Sequence, residues 1–307
     1  MPELPEVQTI VNDLNKKVVG LTITDVWTDW PKYFRRSKGG FDGFKKEIKN
    51  KKILRVWRLG KNIIFDISGG LPAKPVAKGA GRRGKKILIH QKMTGHLLVG
   101  KWQLENNKWV VAEKGLLAER VNGYIHVMFW LSGGKMLALS DLRKFAKVLV
   151  IDEKDFKNLE DVKNIGPNPL KPGFQFYEFK SLIIKKRGVI KKVLMDQNVI
   201  SGIGNIYADD ILFTAKIHPL KKVEKLSEKE LKTIFSATLT ILKKAVKLRG
   251  TSTSDYRDTA GKKGGYGNIR LVYQREGEKC PNKCGGIIKR IKIGNRSAHF
   301  CPACQKI

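Results

Sequence analysis

Ile165-Gly166-Pro167-Asn168-Pro169-Leu170-Lys171-Pro172-Gly173 separates two kinds of hydrophobic pattern in the chain. Pro167, Pro169 and Pro172 lack amide donors and fix φ, so neither a helix nor a central strand runs through this stretch. Upstream, short apolar runs at 52–58, 62–67, 86–90, 96–99, 125–131, 136–140 and 147–151 are set off by Gly, Asn and Asp. That spacing predicts an antiparallel sandwich or barrel, led by a helix over 6–18. Downstream, 178–186, 189–195, 205–214 and 227–248 have helical lengths and helical apolar periodicity. The last of these opens on Ser227-Glu228-Lys229-Glu230, a capping-box start, and ends at Gly250. Strands followed by helices make an α+β chain. The expected domains are 1–160, 174–262 and 269–307, with 269–274 read as a strand.

The 307 residues carry 61 Lys and Arg against 28 Asp and Glu, a net charge of +33 spread along the whole chain. A field of that sign attracts polyanions, nucleic acid first among them, with an anionic membrane surface or a merely solvated basic surface as the alternatives. No apolar run is long enough to span a bilayer and no secretory leader is visible, so a cytoplasmic protein is expected. The segment 71–86 (LPAKPVAKGAGRRGKK) interrupts the strands with Pro, Gly, Ala and bases but no acid, and reads as a loop.

Chemistry is written at both ends. Loss of Met1 would leave Pro2 as a secondary amine; a free α-amine has a pKa of about 7.7–8.0, so an unprotonated nucleophile is available near neutral pH. Read otherwise, Pro2-Glu3-Leu4-Pro5-Glu6 simply starts a helix. At the far end Cys280-x3-Cys284 and Cys301-x2-Cys304, sixteen residues apart, supply four thiolates for one tetrahedral Zn2+. The residues between them read as a hairpin, and Lys289, Arg290, Lys292 and Arg296 make it basic, as phosphate contacts require. Between these ends, Gly202-Ile203-Gly204-Asn205 places a tight turn before a helix whose first amides could hold a phosphate.

These motifs, in this order, resemble the bacterial formamidopyrimidine-DNA glycosylases along essentially the whole chain. The resemblance includes Arg58-Leu59-Gly60-Lys61, His90-Gln91-Lys92-Met93-Thr94-Gly95, Asp141-Leu142-Arg143-Lys144-Phe145, Leu194-Met195-Asp196-Gln197 and Asn295-Arg296-Ser297-Ala298-His299-Phe300-Cys301. It implies a catalytic β-sandwich, a helix-two-turns-helix domain with a lesion-capping loop, and a zinc-finger hairpin. It further implies a monomeric, nucleoid-associated repair enzyme that excises oxidised purines from damaged double-stranded DNA and then cuts the strand. By that resemblance Pro2 attacks C1′ and forms an iminium link, Glu3 moves protons, Lys61 serves β-elimination, and Arg296 serves δ-elimination. Met93, Arg143 and Phe145 would fill the space left by the extruded base, a use suited to two wedges and a hydrogen-bonding guanidinium. His90, Tyr124, Lys186 and Asn205 would contact DNA, and Thr251, Ser252, Thr253 and Tyr256 would belong to the cap.

The chain departs from the family pattern in places. Its first cysteine pair has three intervening residues where two are usual, Gln8 replaces a common Glu, and Ala146 stands where Gly is usual. Tyr124-Ile125-His126 replaces a His-x-His, and 71–86 has no assigned role. The sister endonuclease VIII-like enzymes, which favour oxidised pyrimidines, usually begin Pro-Glu-Gly-Pro, whereas Leu4 stands here. A zinc-ribbon protein that binds DNA without chemistry, and a basic RNA-associated protein, are the readings from other classes.

Overall fold

The computed structural model describes residues 1–68, 84–252 and 255–307. It divides into two compact units: Met1–Pro2, Glu6–Lys163 and Thr251–Gly264 form the first, and Glu3–Pro5, Asn164–Gly250 and Gly265–Ile307 the second. The change of pattern at 165–173 therefore marks the step between units. The segment expected to close the helical domain, 251–262, groups with the sandwich instead, and the cysteine module groups with the helices.

Helix α1 (Leu4–Lys17) belongs to the first unit from Glu6 onward, and that unit continues with strand β1 (Thr22–Thr28), helix α2 (Gly40–Ile48), and strands β2 (Lys51–Leu59), β3 (Asn62–Ile67), β4 (Lys85–His90) and β5 (His96–Gly100). A small hairpin, β6 (Trp102–Glu105) and β7 (Lys108–Val111), precedes β8 (Ile125–Leu131), β9 (Met136–Ser140), β10 (Lys147–Asp152) and the one-turn helix α3 (Glu153–Phe156). Strand order is β10-β4-β3-β2-β1-β8-β9-β5, every pair antiparallel. The two halves of this sheet join where β1 meets β2, through Thr22↔Lys52 and Ile23↔Lys51. Ile63, Phe65 and Ile87 of one half share a core with Val127, Phe129 and Leu139 of the other, so the halves face each other as the two layers of a sandwich.

Alternation explains which residues enter that core. In β3, Ile63, Phe65 and Ile67 face inward, while Ile64 packs with Leu88, Leu149 and Phe156 on the opposite face. Both faces are covered, and the strand therefore reads as an unbroken apolar run. Val7, Ile10, Val11 and Leu14 of α1 recur at helical spacing and close the same core.

The second unit holds α4 (Phe176–Ile184), α5 (Ile190–Met195), α6 (Asn205–Thr214), α7 (Glu228–Lys247) and the hairpin β11 (Lys289–Ile293) and β12 (Arg296–Phe300). Ser227 caps α7 as its sequence predicts: its Oγ accepts from Glu230 N at 3.3 Å, and the Glu230 carboxylate accepts from Ser227 N at 2.9 Å. The expected strand at 269–274 does not form. Its amides at Leu271 and Val272 donate to the buried Asp210 carboxylate, each at 3.1 Å, in place of a neighbouring strand. The expected loop 71–86 is shorter than its sequence suggests, because Lys85 and Lys86 open β4 and pair with Ile67 and Asp66. Its residues 71–83 lie outside the described residues. No helix among the described residues is long and apolar enough to cross a membrane.

Candidate active site

Glu3 is held by the start of α6. Its carboxylate accepts from Gly204 N at 2.7 Å and Ile206 N at 3.0 Å, at the end of the helix where unpaired amides and the helix dipole favour negative charge. Leu4 N donates to Gly202 O at 2.9 Å and fixes the chain beside it. Both glycines are required by this approach. A Cβ at Gly204 would stand 2.4 Å from Glu3 Cδ, and one at Gly202 would stand 2.6 Å from Leu4 Cβ. The turn expected to cradle a phosphate therefore cradles the chain's own acid. Pro2, its covalent neighbour, is buried.

Around this anchor the second unit gathers further charges. Lys191 of α5 is 1% exposed, with Nζ 2.6 Å from Asp209 Oδ1 and 2.6 Å from Ser297 O. Burial pushes its ammonium below the ordinary lysine range against the pull of Asp209 and Glu3, and Arg296 pushes the same way as burial. Asp209 also accepts from His299 N at 2.9 Å, tying α6 to β12. Lys191 is thus a buried ion-pair partner and not a base facing solvent. Arg296 is exposed at the start of β12 and, with Lys192, Met195, Asp196, Gly294 and Asn295, lines an open cleft of about 380 Å³. The Asn205 side chain hydrogen-bonds the Tyr273 hydroxyl, whose titration burial raises. Asn205 Oδ1 has no hydrogen-bond partner among the described residues. Lys186 is exposed, with Nζ 3.4 Å from Asp196 Oδ2.

In the first unit Lys61 sits at the β2–β3 turn and is 7% exposed. His90 ends β4 opposite Asn62 and Lys147, and its Nδ1 accepts from Lys92 N at 2.9 Å. Desolvation, with Lys92, Lys61 and Lys147 nearby, pushes His90 down to about 3, so the imidazole is neutral and keeps a proton on Nε2. Met93, Arg143 and Phe145 meet at the surface. Arg143 lies 3.1 Å from Met93 Sδ and stacks on the Phe145 ring at 4.6 Å from its centroid. Met93 and Phe145 are 46% and 52% exposed, which removes ordinary core packing as their explanation. Tyr124 is partly buried, and His126 turns inward to Asp29 at 2.9 Å. Gln8, in the place of a common Glu, accepts from Arg58 Nε at 3.0 Å.

The segment expected to cap a lesion is fastened to the sandwich unit. Thr251 N donates to Glu6 Oε1 at 2.7 Å, Arg257 pairs with Glu119 at 3.2 Å, and Thr259 Oγ1 donates to Asp13 at 3.0 Å. Ser252 Oγ donates to Tyr256 O at 2.7 Å, and Thr253 lies outside the described residues.

The four cysteine sulfurs lie within 4.8 Å of one another, with Cys280–Cys304 at 3.7 Å and Cys284–Cys301 at 3.5 Å. Tetrahedral ligation with Zn–S bonds of about 2.3 Å places sulfurs about 3.8 Å apart, so the cluster fits one Zn2+. The extra residue of the first pair is absorbed by a left-handed Lys283, φ 54°. At Gly286 a Cβ would stand 2.6 Å from Cys301 Sγ, so the knuckle needs a glycine there.

Three family models match: the formamidopyrimidine-DNA glycosylase N-terminal domain over 1–148, its H2TH domain over 165–257, and the zinc finger found in FPG and IleRS over 277–307. The formamidopyrimidine-DNA glycosylase of Desulforamulus reducens is 34% identical over all of this chain and 99% of its own length. The chain belongs to the formamidopyrimidine-DNA glycosylase family. It is an enzyme of base excision repair with a zinc-finger module. The Pelotomaculum thermopropionicum glycosylase is 33% identical over the full length of both chains. Among solved structures, Lactococcus lactis Fpg bound to DNA with an abasic site superposes with a TM-score of 0.80 at 31% identity, over 99% of this chain and all of that one. MutM in complex with DNA containing carbocyclic 8-oxo-G gives 0.80 at 32% identity over the whole of both.

Proposed function

We propose that this glycosylase excises oxidised purines, 8-oxoguanine and formamidopyrimidines, from double-stranded DNA through an imine on Pro2, then cleaves the strand by β,δ-elimination. The observation that carries this reading is the Glu3 carboxylate fixed on the α6 amides. That anchor presents residue 2 from a rigid base with an acid one residue away, as attack by a terminal amine with local proton transfer requires. The Pro2 nitrogen lone pair forms a bond to C1′ as the C1′–base bond breaks, and the departing base takes a proton from water. Glu3 takes the N–H proton that Pro2 releases and delivers it to the ring oxygen as the sugar opens to the iminium. A base then removes a C2′ proton and the 3′-phosphate leaves; a second elimination expels the 5′-phosphate.

Lys61 and Arg296 are assigned to these proton transfers and to the phosphates that leave. His90, neutral with Nε2–H, donates to a phosphate, alongside Lys186, Asn205 and Tyr124. Met93, Arg143 and Phe145 enter the duplex where the lesion is extruded. Cys280, Cys284, Cys301 and Cys304 would hold one Zn2+, which supplies closure of the hairpin that presents Arg296 and no reacting group. The support for oxidised purines is the family and the wedge triad, and the enzyme is proposed to act as a monomer on chromosomal DNA in the cytoplasm.

Borohydride trapping on a duplex with one 8-oxoguanine opposite cytosine tests the chemistry. The expected result is a crosslink that maps to Pro2 and is lost when the terminal amine is blocked by acetylation. A crosslink mapping elsewhere, or turnover only on an oxidised-pyrimidine duplex, overturns it.

A further inference from the structure

The wedge residues are exposed, and the group that fixes their backbone lies beneath them. Asp141 follows β9 and is 0% exposed. Its Oδ1 accepts from Thr94 Oγ1 at 2.5 Å, and its Oδ2 accepts from Ala146 N at 2.8 Å and from the Tyr33 hydroxyl at 3.1 Å. The Thr94 oxygen in turn accepts from Arg143 N at 3.0 Å. The backbone of Asp141 adds two more bonds, from its N to Tyr124 O at 2.8 Å and from Lys144 N to its O at 3.1 Å. One carboxylate thus reaches the residue after Met93, the amide of Arg143 and the residue after Phe145. No cation pairs with it among the described residues; three donors satisfy it.

From this geometry we infer that Asp141, through Thr94 and Tyr33, is the positioning residue that sets the register between the two loops of the wedge, and that it governs extrusion of the lesion from duplex DNA. The inference rests on the proposed function above. Its physical basis is cost. A carboxylate buried without a countercharge is expensive, and the three donors offset that cost. Any slip of the 91–95 loop against the 141–146 loop removes a donor, so the two loops move as one or not at all. Burial and Asp141 both hold the Tyr33 proton in place, so that hydroxyl remains a donor. Ala146, where the family pattern has Gly, keeps its bond to Asp141 without a left-handed backbone. Lys144 does adopt a left-handed backbone, φ 55°, and its Nζ lies 4.4 Å from the Trp30 ring centroid, a second clamp on the same loop.

Asp141→Asn tests this. Its amide nitrogen must replace either Oδ1, which faces the Thr94 hydroxyl, or Oδ2, which faces both Ala146 N–H and the Tyr33 hydroxyl, so at least one of the three donors loses its acceptor while size is kept. Single-turnover excision of 8-oxoguanine paired in a duplex should fall by about tenfold or more, the worth of a hydrogen bond to a charged group. Excision of the same lesion opposite a one-nucleotide gap, where no widowed base needs filling, should fall by less than about threefold, and cleavage of a single-stranded abasic site by less than about twofold. A 2-aminopurine placed next to the lesion should lose its unstacking signal in the same variant. Thr94→Val, which removes both the bond to Asp141 Oδ1 and the bridge to Arg143 N while leaving the Ala146 and Tyr33 bonds, should show the same ranking and serves if Asp141→Asn fails to fold. Equal losses on all three substrates would make Asp141 a structural residue only and overturn the inference, as would no loss on the paired duplex. If the unaltered enzyme excised no lesion at all, the proposed function itself would fall, and the inference with it.

Discussion

Glu3 and Asp141 are acids withdrawn from water for opposite ends. Glu3 borrows backbone amides at a helix start and stays beside Pro2; Asp141 is consumed by holding loops. The first drew notice in sequence because it is the covalent neighbour of Pro2. The role of Asp141 did not, because its partners Tyr33 and Thr94 are 108 and 47 residues away, and nothing local marks an acid that will be buried. His90 yields a prediction at this scale. Its folded value of about 3 lies below the unfolded value of about 6.5, so the unfolded chain binds more protons between those limits. Stability should therefore rise with pH through that window, and His90 should contribute a loss as pH falls from 7 towards 5. In His90→Asn, whose side chain can still accept from Lys92 N, the change in melting temperature between pH 7 and pH 5 should be smaller than in the unaltered protein. An equal or larger change would show that His90 is not held neutral.

Among elements, seven of the eight strands of the sandwich were read within one residue from apolar runs bounded by turn residues, since strands such as β3 and β4 are covered on both faces and leave long unbroken signals; β1, with its alternating polar residues, was not among them. Helix α2 was not read either, because Gly39, Gly40 and Gly43 in its first turns read as a loop; Phe44 and Ile48, buried against Phe34 and the sheet, override that propensity. The β6–β7 hairpin was also missed, its Asn106-Asn107 turn of two positive φ angles hidden in a charged stretch. Buried ion pairs are another product of packing that the sequence hides. Asp209-Asp210 in the apolar run of α6 was the available sign that two acids face inward there. Lys191→Met should destabilise the protein by about 3–5 kcal/mol, because Asp209 is left as an uncompensated buried charge. Urea unfolding of Lys191→Met, and of Lys191→Met with Asp209→Asn, checks the cause. The double variant should recover part of the loss, and full additivity would contradict the pairing.

Across the whole molecule, the net charge of +33 predicts counterion release on binding DNA. For about 6–10 phosphate contacts, affinity for a duplex should fall by about 10³–10⁵ between 50 and 200 mM salt, measurable by fluorescence anisotropy. A response of less than tenfold would mean that the bases are spent on the ion pairs within the fold. Those pairs also bear on how this protein could be cut or recombined. Asp210 takes the Tyr266 hydroxyl at 2.8 Å and the amides of Leu271 and Val272, while Asp209 and Lys191 take His299 and Ser297. A fragment ending at Gly250 would strip Asp210 of these three donors and leave the Asp209–Lys191 pair without His299 and Ser297. The cysteine-bearing tail is therefore no interchangeable cassette: a chimera with a relative's tail must import the acids of α6 together with it.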